Sequence, residues 1–288
     1  MSVAINVAGF SAANGLIVGA PSGTTISGSS LNAVSWDQAT RRVFFRDALG
    51  AGPLYSWHEG DTFIRYVASA ATLMAGGSTN LADNGTIYNG GLWYMEDGND
   101  TLYRYDLSTG GVRRFADISG TTNRTYNFGD IAVNSAGQLF ISANRTNNQN
   151  NVLDRIDISA VTATTGTPSG FTQIVEYGNG SDGTTNQIFF DQTGTNLYMV
   201  QSLSGIWNER TWHNIDTTTG AVGATIWTST LNFSDVTNAF LVVPEPTTWF
   251  LLVGTPLLLG SVWVLRKRKS EVTAKVEEQL QVNETCLV

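Results

Sequence analysis

Cysteine is nearly missing from this chain: its 288 residues include one, Cys286, third from the end. A disulfide-stapled scaffold is therefore excluded, and the long region before it must be held by an ordinary apolar core. Lysine is absent from the first 243 residues, which hold 11 arginines against 19 carboxylates, a net charge of −8. That acidic balance argues against nucleic acid as a partner. Histidine is scarce too. His58 and His213 are the only two, and each directly follows a tryptophan on a strand-like stretch. No paired-cysteine motif, His-Glu-x-x-His helix or serine elbow is present, so no cofactor is expected. Gly178 to Gly183 spells Gly-x-Gly-x-x-Gly, but a strand-like run, Ile188-Phe189-Phe190, follows where a phosphate-binding helix would have to start.

Glycine, asparagine, serine and threonine are plentiful, and short β-branched or aromatic runs alternate with clusters of them. Up to Val243 only Tyr66 to Ala75 carries a helical period, so the region reads as all-β. A unit recurs within it: an apolar strand ending in Asp or Asn, a short polar turn, then an aromatic strand. Trp36-Asp37 precedes Val43-Phe44-Phe45, Val133-Asn134 precedes Leu139-Phe140-Ile141, and Phe190-Asp191 precedes Leu197-Tyr198-Met199. A second hairpin type, Tyr103-Arg104-Tyr105-Asp106 through Gly110 and Val112, is echoed by His213 to Asp216 through Gly220 and Val222. In each, the acid or amide is expected to accept backbone N–H groups across the turn while glycine takes the positive φ.

Anchors at Asp37, Asn84, Asn134 and Asp191 recur at intervals of roughly 50 residues, which suits one four-stranded blade each. The pattern resembles β-propeller repeats, without the Gly-His and Trp-Asp pairs of the WD40 kind. It implies about five to six blades, with Asp235 to Val243 opening one more and the N-terminal residues up to Ile26 helping to close the ring. A two-sheet β-sandwich is the competing architecture and would not explain the period.

At Val243 the pattern changes. Pro244-Glu245-Pro246 is followed by Thr247 to Leu265, a run without a charged side chain, and then by Arg266, Lys267, Arg268 and Lys269. As a helix the apolar run would reach roughly 28 Å, close to the hydrocarbon thickness of a bilayer. Trp249 and Trp263 lie near its ends, where indoles favour the lipid interface. The cations on its far side place the preceding domain outside the cytoplasm. Residues 1–243 thus read as an exported domain, 244–269 as a signal with a transmembrane helix at 247–265 and a basic cluster at 266–269, and 270–288 as a short tail. Met1 to Ala20 lacks the basic and apolar regions of a secretory signal peptide, so the export signal is expected upstream of Met1.

The tripeptide, apolar span and basic cluster, in that order, resemble the PEP-CTERM sorting signal of Gram-negative bacteria. The resemblance covers about 27 residues. It implies recognition and cleavage by exosortase, a membrane-embedded protease, and a final location at the cell surface or outside, often in exopolysaccharide. The tail beyond Lys269 departs from the family, whose signals usually end at the basic cluster.

Two candidate binding features remain. Trp207, in a loop-like stretch with Asn208, Glu209 and Arg210, is the candidate sugar contact, since an exposed indole can stack on a pyranose ring. Glu96, Asp97 and Asp100 gather three carboxylates within five residues and are a candidate Ca²⁺ set; EF-hand spacing is not met, and a solvated turn is the preferred reading. The sequence therefore points to an exported, non-catalytic binding or structural protein. Its alternatives are a propeller-type polysaccharide hydrolase or lyase, and a permanently anchored single-span protein whose tail recruits a partner.

Overall fold

A computed structural model describes most residues between Leu16 and Ser229. Residues 1–15, 27–31, 47–51, 77–83, 96–100, 116–125, 146–149, 180–186 and 230–288, with a few single positions, lie outside the described residues. All the described residues belong to one compact unit, Met1–Phe240.

The described chain is all-β and forms four sheets rather than the two of a sandwich. The first contains β1 (Ile17–Val18), β2 (Asn32–Asp37), β3 (Arg42–Arg46), β4 (Leu54–His58) and β5 (Ile64–Ala68). In it β2 to β5 form an antiparallel meander, and β1 lies parallel to β5 on the outer edge. The second sheet holds β6 (Thr86–Tyr88), β7 (Gly91–Met95), β8 (Leu102–Asp106) and β9 (Val112–Phe115). The third holds β10 (Tyr126–Val133), β11 (Gln138–Arg145), β12 (Asn150–Asp157) and β13 (Ser169–Asn179), and the fourth holds β14 (Gln187–Phe190), β15 (Leu197–Leu203), β16 (Ile206–Ile215) and β17 (Val222–Ser229). Each is an antiparallel meander in chain order.

First strands pack on first strands in succession: β2 on β6, β6 on β10, β10 on β14. That is a four-bladed β-propeller arrangement of the described residues. The count falls short of the expected five to six because the spacing provides four anchors, one per sheet. The extra blade rests on Asp235 to Val243, which lies outside the described residues. Within the helical period at Tyr66 to Ala75, Tyr66 to Ala68 end strand β5, Ser69 caps, and the rest is helical, as α1 (Ala70–Leu73) and a 3-10 turn (Met74–Gly76).

Alternation along the strands gives each sheet two apolar faces, and burial of these faces holds the blades together. Leu54, Ala68 and Leu73 meet Leu92, Tyr94 and Tyr103 between the first two sheets. Trp93, Met95, Leu102 and Phe115 meet Ile131, Leu139, Ile141 and Val152 between the second and third. Ala132, Phe140 and Leu153 meet Ile188, Phe190, Leu197, Met199 and Ile215 between the third and fourth. The Tyr94 hydroxyl donates to the carbonyl of Leu73 at 2.7 Å and so fixes the end of α1 to β7.

The turns follow the predicted chemistry. Asp37 accepts from the Ala39 N–H and the Thr40 hydroxyl. Asn134 Oδ1 accepts from the N–H groups of Ala136 and Gln138 at 3.0 and 2.9 Å, with Gly137 at φ 79°. Asp191 Oδ1 accepts from Thr195 N–H at 3.0 Å, with Gly194 at φ 66°. Asn84 is a different case. It precedes β6 and its Oδ1 accepts from Met95 N–H at 3.0 Å, while the turn between β6 and β7 is Asn89-Gly90, at φ 48° and 70°. Two consecutive positive φ values fit the tight hairpin that Asn-Gly favours.

Candidate functional site

Several predicted sites fall on undescribed residues: Pro244, Glu245, Pro246, the 247–265 span, Arg266 to Lys269, and the carboxylates Glu96, Asp97 and Asp100 all lie outside the described residues. Among the described residues no helix is long and apolar enough to cross a membrane, and no group of three metal-ligating side chains converges. Trp207 is on β16, a strand, and not in a loop; the pairing of Leu203 with Ile206 makes the β15–β16 connection shorter than the sequence suggests. The structure does not bring His58 and His213 into one site. His58 ends β4 in the first sheet, and His213, on β16 in the fourth, has its Nδ1 3.0 Å from the carbonyl of Gly223.

Two groupings stand out instead. One is a chain of aromatic rings across the fourth sheet. Phe189 stacks on its cross-strand partner Tyr198 at 5.3 Å, Trp212 meets Phe189 edge-on at 5.4 Å, and Trp227 leans on its partner Trp212 at 5.1 Å. Ile188 and Phe190 face the third sheet, so alternation puts these four rings on the opposite face. The ladder runs from a buried Phe189 outward to Trp227, which is 53% exposed on the outer strand, next to Ile226 at 54%. An indole exposed to that degree beside a second indole offers a flat apolar platform of the kind that stacks on sugar rings. Sequence reasoning selects Trp207 because of its polar neighbours; the signal it passes over is the cross-strand match of Trp212 with Trp227, which emerges only once the register is known.

The other grouping is polar and internal. Asp130, on β10 nearest the propeller axis, is 5% exposed. Its Oδ1 accepts the N–H of Ile131 at 2.8 Å, and its Oδ2 accepts the N–H of Ile188 on β14 at 2.9 Å. Burial pushes its pKa up, and the two N–H donors oppose that shift. In the second sheet, Arg104 and Asp106 form a buried ion pair at 3.0 Å, and Arg104 also donates to the carbonyl of Asn89 at 2.9 Å. The guanidinium lies so close over Gly91 that a Cβ there would collide with it, which accounts for that glycine. Burial works against ionisation of Asp106, but the Ser108 hydroxyl, Thr109 N–H, Arg104 and the Thr109 hydroxyl outweigh it and hold its pKa well below the usual carboxylate range.

The remaining shifted aspartates serve turns. The hydroxyl and N–H of Ser159 lower Asp157, and the N–H groups of Thr219 and Thr218 lower Asp216. At Asp191, burial is outweighed by Thr193, Asn196 and Thr195. The described carboxylates with shifted pKa are thus engaged by backbone amides, turn hydroxyls, the Asn196 side chain, and the arginines Arg104 and Arg155.

No protein-family model matches the chain, and no curated protein matches it. Solved structures do resemble it at low identity. A structural-genomics protein of unknown function from Bacteroides thetaiotaomicron is 12% identical over 74% of this chain and 56% of its own, with a TM-score of 0.49. A gluconolactonase from Xanthomonas campestris is 15% identical over 68% of this chain and 61% of its own, with a TM-score of 0.43. AofleA from Arthrobotrys oligospora is 13% identical over 76% and 66%, with a TM-score of 0.42. The chain therefore spans less than two thirds of the length of each of these proteins, and lactone chemistry is a property of the Xanthomonas enzyme.

Proposed function

We propose that this protein is an exported β-propeller-type binding protein, delivered to the cell surface or extracellular matrix by a PEP-CTERM-like signal. The observation that carries the reading is the ordered set near the end of the chain: Pro244-Glu245-Pro246, the uncharged span from Thr247 to Leu265, and four consecutive cations. A lipid bilayer and an exosortase-type protease are the partners that this set implies. The exposed end of the fourth sheet's aromatic ladder supports a binding role, and exopolysaccharide is the ligand class that a flat indole platform suits. The use of aspartates as turn and strand anchors favours binding over hydrolysis, which needs two carboxylates converging on one bond.

Immunoblotting of membrane and culture fractions tests the sorting half. Cells carrying exosortase should release a shortened product, and cells lacking it should retain the full chain in the membrane. A full-length, membrane-bound protein in both would favour permanent anchoring instead. Gel retardation in the producer's exopolysaccharide tests the binding half: Trp227→Ala should migrate faster than wild type, and equal mobility would remove the platform from the proposal.

A further inference from the structure

Exposure on the aromatic face of the fourth sheet is graded from the inner strand outward. Val200 is 1% exposed and Phe189 7%, Tyr198 and Trp212 are half-buried, and Trp227 stands 53% exposed on the outer strand. The register adds a polar member to this face. Asn214 is the cross-strand partner of Tyr198 and lies two residues beyond Trp212, so alternation places it with the rings. It is exposed. Its neighbour on β17 is Gly223, where a built Cβ would lie 3.8 Å from the Asn214 Cβ, so the glycine leaves that side of the amide uncovered.

Neither the Asn214 amide nor the Tyr198 hydroxyl has a hydrogen-bond partner among the described residues. Two kinds of contact therefore meet at the open end of the face. The indoles of Trp212 and Trp227, 5.1 Å apart, present flat apolar surface to the C–H side of a sugar ring. A primary amide offers a donor and an acceptor side by side, and a phenol offers both in one group. Adjacent sugar hydroxyls match that set, because each of them also donates and accepts. None of these four side chains carries a charge to offset a carboxylate. Two residues along a strand span roughly 7 Å, which brings Asn214 within reach of hydroxyls on a ring stacked at the indoles.

We infer that the outer part of this face is a subsite for a neutral pyranose with adjacent hydroxyls. The ring stacks on Trp227, the Asn214 amide bridges two neighbouring hydroxyls, and the Tyr198 hydroxyl takes a third. The assignment rests on the sugar-stacking role proposed above for Trp227, to which it adds the sugar class and two specificity-determining side chains.

Calorimetric titration of the full chain, in micelles of a detergent without a sugar headgroup, tests this. The probes are a hexamer of β-linked glucose and a hexamer of galacturonate. The glucose hexamer should bind, and the galacturonate hexamer should bind at least about tenfold more weakly. Asn214→Ala and Tyr198→Phe should each weaken binding of the glucose hexamer about three- to tenfold. Tyr198→Phe keeps the ring that stacks on Phe189, so its loss reads the hydroxyl and not the fold. Trp227→Ala should weaken binding more than about tenfold. Wild-type affinity in both Asn214→Ala and Tyr198→Phe, with Trp227→Ala weakened, would overturn the inference and leave the platform standing. Tighter binding of the galacturonate hexamer would also overturn it, and would point to Arg210, two residues before Trp212. Unchanged affinity in Trp227→Ala, or binding of neither hexamer, would remove the platform itself and the inference with it.

Discussion

Oδ2 of Asp130 accepts the N–H of Ile188, and Oδ1 of the same carboxylate accepts the N–H of Ile131, at 2.9 and 2.8 Å. One buried side chain thus joins the first strands of the third and fourth sheets. Asp130→Ala would leave both amides without this acceptor in an interior with little water, and each unsatisfied group costs about 1–3 kcal/mol. A loss of roughly 2–5 kcal/mol in urea denaturation is expected. Asp130→Asn keeps one acceptor but turns an NH₂ toward the other donor, so it should fall between alanine and wild type. An unchanged midpoint for Asp130→Ala would show that the clasp contributes nothing.

The same residue sets an unusual pH dependence. Burial raises the folded pKa of Asp130 above its unfolded value, so its contribution is full below about pH 4 and is lost as pH rises through the raised value. Asp106, Asp157, Asp191 and Asp216 work in the opposite sense. Their folded pKa values are lowered, so their contribution is present above about pH 4 and is lost on acidification. Thermal midpoints should therefore decline on both sides of a mildly acidic optimum. Asp130→Asn should flatten the alkaline limb only, and an alkaline limb unchanged in that variant would remove Asp130 as its cause.

Much of this architecture is legible in the sequence because turn chemistry is local. Asp37, Asn134 and Asp191 each accept N–H groups within five residues, and the glycine offsets follow from positive φ. Asn84 misleads because an asparagine that receives an N–H from the adjacent strand has the same composition around it as one that builds a turn. The aromatic ladder and the Asp130 clasp are not legible in that way. Both depend on cross-strand register and on which sheet follows which, and a one-residue slip would send Trp212 and Trp227 to the other face. Trp207 stands out by its polar neighbours, and neighbouring polarity does not report register at all.

Two turns of the same sequence type should differ in cost. Asp106 and Asp216 both accept two N–H groups in a five-residue turn closed by a glycine at positive φ, Gly110 or Gly220. Asp106 also pairs with Arg104, which is 3% exposed and sits over the Trp93 ring at 5.9 Å, whereas the matching position before Asp216 is Asn214. Asp106→Ala strands a buried guanidinium, and a loss of about 3–5 kcal/mol is expected. Asp216→Ala should cost clearly less. Equal losses in parallel urea melts would mean that the turn, and not the ion pair, dominates at Asp106.

Glycine at 194 does two jobs, and a control separates them. Its φ of 66° disfavours any residue with a Cβ, and a Cβ there would lie 2.6 Å from the backbone nitrogen of Ser135 in the third sheet. That nitrogen donates to the Gly194 carbonyl at 3.2 Å, so the two turns are in direct contact between sheets. Gly60 has φ 89° but nothing within 4 Å of a built Cβ. Gly60→Ala should cost only the conformational term, about 1–2 kcal/mol. Gly194→Ala should cost that amount plus the displacement of one turn from the other, about 1–3 kcal/mol more. If the two substitutions lower the urea midpoint equally, the contact between the third and fourth sheets at Ser135 is loose enough to absorb a methyl group, and the coupling of those blades rests on Asp130 and the apolar cluster alone.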